Sequence, residues 1–268
     1  MKQKKFVSLF LALMLALSML TGCGTAAAPA VTEATAAAEA TVAAEAAESP
    51  APAEEPAAAD ENEAAAKQLL VNLTGSYQEL WPVILDSRYT QLWLDDCAAL
   101  VGEENAQAAY DKLSSMVTGT VYGEEAVAAY ANGGGAYDCA FTEGLVTLEF
   151  DGTASVIKGY DADGNELFSH TYHYAGMEAI RGLYVYESDD AGSGEFTYFC
   201  MAPDTSATTY HIEFRYGSDL DALVKYDAGN YAYWLASGIS TGYDQTMIEN
   251  CIQLFCTENL SVSLSKSE

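Results

Sequence analysis

Apolar and polar positions along this 268-residue chain change their pattern twice, and the changes divide it. Residues 6–20 are a nearly unbroken apolar run, and residues 24–67 show no apolar periodicity. Beyond them, apolar positions recur first at helical and then at strand spacing. Trp93, Cys97 and Leu100 repeat as one face of a helix, and Ala106, Tyr110, Leu113 and Val117 as one face of another. A third, short helix is predicted over 124–131, stopped by Gly133, Gly134 and Gly135. The period then falls to two: Val146, Leu148 and Phe150 alternate with Thr147 and Glu149, and Asp151-Gly152 follows as a turn. The same strand-and-turn rhythm runs through 154–160, 167–174, 183–187, 195–200 and 209–216. Short strands separated by regular turn signals predict an antiparallel meander that closes as a barrel or sandwich. Residues 219–226 read as a helical turn, and the chain ends in a helix on which Met247, Cys251, Leu254 and Phe255 share a face. The expectation is an α+β fold, mainly β, in one domain over 68–268 with a sizeable core.

The first two segments carry location rather than chemistry. Lys2, Lys4 and Lys5 precede the apolar run, which is too short and too N-terminal for a stable membrane span. It ends in Leu20-Thr21-Gly22-Cys23, which resembles the lipobox of bacterial lipoproteins. That resemblance implies a signal peptide over 1–22 and lipidation of Cys23; an ordinary signal peptide with a chance cysteine is the alternative. The protein is expected outside the cytoplasm, lipid-anchored to the outer face of the bacterial cell membrane. Residues 23–67 are almost wholly Ala, Glu, Pro and Thr, without an aromatic residue, and cannot bury enough surface to offset their ordering entropy. A flexible tether of this length spans roughly 35–40 Å root-mean-square.

Charge narrows the partners. The chain has 39 acidic and 11 basic residues, and three lysines leave with the signal. Such an excess argues against nucleic acid and against direct adsorption on anionic lipid. It suits cations, although net charge alone selects none. Beyond Cys23 stand Cys97, Cys139, Cys200, Cys251 and Cys256, an odd number that leaves at least one without an intramolecular partner. Cys251 and Cys256 lie five apart on a predicted helix and point to different sides, which disfavours pairing them together. Each cysteine can equally be a buried small hydrophobe.

Signatures of catalysis are lacking. There is no G-x-S-x-G, and His170, His173 and His211 have no serine or cysteine in a recognisable nucleophile motif. Asp161, Asp163 and Asn165 have the opening spacing of a calcium loop, but Tyr172 stands where its final glutamate belongs, so this segment reads as a hairpin turn. The triple glycine has no following Lys-Ser/Thr and makes no phosphate loop. No enzyme activity is expected.

A family resemblance enters at His173-Tyr174-Ala175-Gly176 and Arg181-Gly182-Leu183-Tyr184-Val185-Tyr186-Glu187. These segments resemble paired strands of the ZinT/YodA family, extracytoplasmic zinc- and cadmium-binding proteins whose domain also forms the C-terminal part of some Gram-positive zinc-binding lipoproteins. Glu195-Phe196-Thr197-Tyr198-Phe199 with Ala202-Pro203 resembles that family's next strand and loop. Tyr210-His211-Ile212-Glu213-Phe214 resembles its His-Phe-His-Ile-Phe strand, and Asn230-Tyr231-Ala232-Tyr233-Trp234 its Asn-Trp-Pro-Thr-Tyr-Tyr segment. At the front, Gly75-Ser76-Tyr77-Gln78-Glu79-Leu80-Trp81-Pro82-Val83-Ile84 resembles Gly-x-Trp-Gln-x-x-Tyr-Pro-Leu-Leu. Order and spacing hold over most of the domain. The resemblance implies a calycin-like, lipocalin-type antiparallel barrel with N-terminal helices and a C-terminal helix.

It also implies a metal site, and here the sequence departs from the family. There, three histidines hold one zinc: one in the loop before Ala-Pro and two in the His-Phe-His strand. The paired positions here are Thr209 and His211, so only His211 carries over cleanly. Counted without gaps from His211, Cys200 falls at the missing loop ligand. A Cys200 thiolate, His211 and Glu213 form a chemically reasonable zinc set, in which Arg215, on the same strand face, would compete for the carboxylate. The alternative is that Cys200 is buried or disulfide-bonded and His211 is an ordinary hydrogen-bonded barrel residue. His170 and His173, three apart on a strand, face opposite ways and cannot share one ion. The functional expectation is a binding protein for zinc or a similar divalent metal at His211 and Cys200, with a metal-uptake transporter as the partner that follows from it. A metal-free barrel binding a small organic or glycan ligand is the alternative, drawn from the 18 tyrosines.

Overall fold

A computed structural model of the chain describes residues 56–115, 123–131 and 137–264. The lipidation candidate Cys23 and the triple glycine at 133–135 lie outside the described residues. Helix α1 (Pro56–Asn72) leads into strand β1 (Gly75–Glu79), followed by the short α2 (Trp81–Ile84), α3 (Thr90–Val101), α4 (Ala106–Ser115) and α5 (Gly123–Ala131). Seven strands come next: β2 (Thr147–Asp151), β3 (Val156–Tyr160), β4 (Glu166–Met177), β5 (Tyr184–Ser188), β6 (Tyr198–Met201), β7 (Ile212–Gly217) and β8 (Ala236–Ser240). The one-turn α6 (Leu220–Leu223) lies between β7 and β8, and α7 (Gln245–Leu264) closes the described chain. Each strand pairs antiparallel with the next, and β8 pairs with β1, so eight strands form a closed barrel. This is the barrel that the resemblance implied, with helices at both ends of the sequence.

Register decides which side chains fill it. Tyr77 pairs with Leu148, Gly159 with Phe168, Tyr186 with Phe199, Phe199 with Tyr216, and Phe214 with Ala236, which puts all of them on one face. That face forms a single buried cluster, rich in aromatic rings. Tyr172 meets Phe199 at 5.4 Å, Phe199 meets Tyr216 at 5.4 Å, and Phe141 meets Phe214 at 5.3 Å. Gly159 makes the packing possible: a Cβ there would lie 2.2 Å from the Phe168 ring. The interior is therefore a side-chain core like that of small closed barrels.

Phe196 shows why alternation misplaced one strand start. Residues 194–196 are a 3-10 turn rather than strand, and they aim Phe196 back to stack on Phe168 at 4.0 Å and on Tyr216 at 5.4 Å. The Asp161 segment is a hairpin turn, as expected: the Asp161 carboxylate accepts from the backbone of Asp163 and Asn165 and from the Asn165 side chain.

Helix α1 crosses the expected tether boundary at 67. Ala66, Leu69, Leu70 and Leu73 follow helical spacing and are buried in the barrel cluster, and Tyr186 donates to the Ala66 carbonyl at 2.8 Å. Gly152 admits this helix, since a Cβ on it would sit 2.0 Å from the Leu70 carbonyl oxygen.

A second cluster lies outside the barrel wall. Trp93, Cys97, Leu113, Ile248, Ile252 and Cys256 pack α3, α4 and α7 together, and Ile239 on the outer face of β8 joins them. Trp93 donates to the Ile84 carbonyl at 2.8 Å, and Phe255 meets Trp81 at 4.7 Å. Helices hold 39% of the described residues against 26% in strands, so the β-rich centre carries more helix around it than the alternation implied.

Candidate metal site

The space between the outer face of β7–β8 and α7 holds the chemically distinctive group. Tyr210 has a left-handed φ of 67°, so the regular strand begins only after His211, whose ring lines the cavity against the helix. The Thr209 hydroxyl donates to the carbonyl of His211, and the ring Nδ1 donates to the carbonyl of Thr209 at 2.7 Å. With Nδ1 occupied, Nε2 is the nitrogen that faces Cys251 and Glu213, 3.7 Å from Oε1 of Glu213. Two donors sharing one tetrahedral zinc at about 2.0–2.1 Å each are separated by roughly 3.3 Å.

Glu213 is buried, and its Oε2 has no hydrogen-bond partner among the described residues. A buried carboxylate oxygen without a donor is costly. It faces a cavity of about 20 Å³ lined by Trp81, His211, Glu213, Ser237, Cys251 and Glu258 among others. That is room for a water molecule or one ion, and far below the roughly 300 Å³ that a small organic ligand occupies.

Further acidic and thiol groups converge on the same spot. Asp204 is buried, and burial followed by the neighbouring Glu213 charge pushes its carboxyl up to about 7. Burial and the Glu213 charge also raise Glu258, while the nearby His211 opposes them. Cys251 and Glu258 lie two turns apart on α7 and so face the cavity together. Burial acts to lower the His211 pKa, but hydrogen bonding to Cys251 and Glu213 outweighs it, and the ring titrates well above its ordinary value. These contacts favour the protonated form of His211. As placed, no three His, Cys, Asp or Glu side chains among the described residues converge tightly enough to hold an ion. Two donors are set, and the carboxylates and thiol stand around them.

The structure separates the two metal ligands expected from sequence. Cys200 pairs across the sheet with Arg215, not with His211. Arg215 lies four residues along β7 from His211, a distance of about 13 Å at strand rise. Cys200 is fully buried, and burial pushes its thiol up to about 12, with Arg215 opposing the shift. A thiol so held is a poor ligand. Thr209 is engaged with backbone carbonyls. His170 and His173 face opposite ways and meet different aspartates, Asp190 at 3.3 Å and Asp189 at 2.7 Å. The cysteine that reaches His211 is Cys251. Its signal in the sequence was its place on the apolar face of the last helix, which says nothing about what that face covers.

No protein-family model and no curated protein matches the sequence. Among solved structures, the Zn(II)-bound ZinT-like domain of Streptococcus pneumoniae AdcA is similar at 13% identity, with 69% of this chain and 89% of that domain covered and a TM-score of 0.44. Zn(II)-bound AdcA from the same organism is similar at 13% identity over 69% of this chain and 34% of its own length, with a TM-score of 0.42. Overlap of this depth says nothing about which residues here hold a ligand.

Proposed function

We propose that this chain is an extracytoplasmic, lipid-anchored binding protein for a divalent transition metal, zinc foremost, taken up between β7 and α7. The observation that carries the reading is the buried Glu213 carboxylate, whose Oε2 has no partner among the described residues and whose Oε1 lies 3.7 Å from Nε2 of His211, beside an ion-sized cavity. His211 and Glu213 are the first two ligands, and Cys251 takes the place that sequence reasoning gave to Cys200. Small movements of α7 side chains bring Cys251 and the Glu258 carboxylate inward. Imidazole, thiolate and carboxylate together favour zinc over calcium or magnesium, which take oxygen ligands alone. The Nδ1 bond to the Thr209 carbonyl orients the ring and fixes its tautomer, as hydrogen bonds to the other ring nitrogen do at metal-binding histidines. Metal displaces the His211 proton, so uptake releases a proton and strengthens as pH rises.

Cys23 and the segment between it and α1 tether the domain outside the membrane in this reading, and a metal-uptake transporter is the natural recipient of the ion. The alternative of an organic ligand inside the barrel has the aromatic filling of that interior against it.

The test is a zinc titration of the reduced, chelator-free full chain. One equivalent is expected to bind, weakened at least tenfold in His211→Ala and in Glu213→Gln, as ligand loss predicts. Unchanged affinity in both variants would sink the site.

A further inference from the structure

We infer that Cys97 and Cys256 are a disulfide-forming pair that staples α3 to α7 in the exported protein. Their Sγ atoms lie 3.9 Å apart, both residues are fully buried, and 159 positions of sequence separate them. The two thiols already touch, so the remaining approach to a bond length of about 2.05 Å is a matter of side-chain rotation and slight helix movement. Partner choice is settled by direction. Cys251 faces the His211 cavity on the other side of the helix, and Cys200 lies against Arg215 on the barrel wall. The pair thus resolves the odd cysteine count: one bridge, with Cys139, Cys200 and Cys251 left as buried thiols.

The inference rests on the export expected from the N-terminal segment, because a disulfide persists only in an oxidising compartment. The oxidant is a disulfide-bearing thiol oxidoreductase or a low-molecular-weight disulfide. The thiolate of one cysteine attacks that disulfide, forming a mixed disulfide and releasing one carrier thiol. The second cysteine, also as thiolate, then displaces the carrier. Two electrons and two protons pass to the carrier, which leaves as two thiols. Burial raises both Cys97 and Cys256 and disfavours their thiolates in the folded protein. Exchange therefore occurs while α7 is still undocked, and the finished bridge is shielded from reductant. Its consequence is local to the proposed site, since α7 carries both Cys251 and Glu258 to the cavity. The bridge fixes one wall of the cavity.

The experiment is to refold the full chain in an oxidised/reduced glutathione buffer, alkylate the remaining thiols in denaturant, and map the peptides by mass spectrometry. The expected product is a Cys97–Cys256 cross-linked peptide two mass units lighter than the two thiol peptides. Reduction by dithiothreitol should be slow in buffer and fast in denaturant. The Cys97→Ser and Cys256→Ser variants should give no cross-link and melt about 5–15 °C lower. Alkylation of both cysteines after refolding, or a cross-link to any other cysteine, overturns the inference. Zinc titration of the oxidised and reduced protein keeps this outcome separate from the metal reading: binding without the cross-link removes only the staple, and a cross-link without binding removes only the metal.

Discussion

Glu213 and Arg215 stand two residues apart on the same face of β7, both buried, and their surroundings treat them in opposite ways. Arg215 donates to the carbonyls of Leu223 and Tyr231, and its guanidinium lies 4.5 Å from the centre of the Tyr226 ring and 6.0 Å from that of Trp234. Burial lowers its pKa to about 10, which still leaves it charged at neutral pH. Two carbonyls and two aromatic faces suit a planar cation, and Nε is left without a hydrogen-bond partner among the described residues. Glu213 also has an unpartnered oxygen, but its neighbours are a histidine and two further carboxyl groups raised by burial and by the Glu213 charge. The cationic end of the strand is enclosed by carbonyls and rings that belong to the fold. The anionic end is surrounded by titratable side chains beside a small cavity, and in the proposed reading that difference separates a buried charge that holds a fold from one that holds a ligand.

Arg215→Ala should break the cationic end most severely. It leaves two buried carbonyls without donors and a void beneath Tyr226, a loss of about 3 kcal/mol or more. A melting point lowered by roughly 6–12 °C is expected, with zinc stoichiometry retained in the folded fraction. An unchanged melting point would mean that the carbonyls find water and that this end is not tight.

Glu213→Gln should show the reverse pattern, losing zinc affinity and costing the apo protein less stability than Arg215→Ala, because His211 can give up its proton once the carboxylate beside it is neutral. Denaturant titration of the apo variant beside its zinc titration makes the comparison. A large stability loss would mark Glu213 as structural.

The acidic end should also impose a pH dependence. Asp204 is raised from 3.8 to about 7 in the fold, and His211 is raised above 6.5, so the folded state favours the protonated form of both. Their stabilisation is complete below the unfolded values and is lost as pH rises, between about 4 and 7 for Asp204 and beyond 6.5 for His211. The apo protein should melt at progressively lower temperature from pH 4 to 8, while zinc affinity rises over the same range. Asp204→Asn should flatten the lower part of the melting profile. A profile parallel to that of the unsubstituted protein would remove Asp204 from the cluster.

The smallest effects discriminate the cysteines. Cys251→Ser should weaken zinc several-fold or more, and Cys200→Ser should leave it unchanged. The opposite result would restore the ligand expected from sequence alone.

Much of the barrel was legible because alternation along β2 to β7 is a local property. Leu148 and Phe150, or Ile212, Phe214 and Tyr216, announce their face by spacing. The strands β1 and β8 were not found by alternation. Gly75-Ser76-Tyr77-Gln78-Glu79 and Ala236-Ser237-Gly238-Ile239-Ser240 carry too few large apolar residues to show a period, and they are strands because the neighbours at the seam need partners for their backbone. Helix α1 was hidden for a related reason: its few apolar residues, Ala66, Leu69 and Leu70, matter only because the end of a barrel stands beneath them.

For the site, the sequence by itself determined the chemistry on offer: one histidine at 211, a carboxylate two residues on, five cysteines outside the N-terminal segment, and no catalytic signature. It also determined that Cys251 and Cys256 point apart, because helix geometry is fixed within the chain. Which cysteine meets His211 and which meets Cys97 depends on how the elements dock. Residues 200 and 251 are both small apolar positions by pattern. Their partners come from a sheet register and from a helix docked across the outside of the barrel, and neither of those long-range contacts has a local period to read.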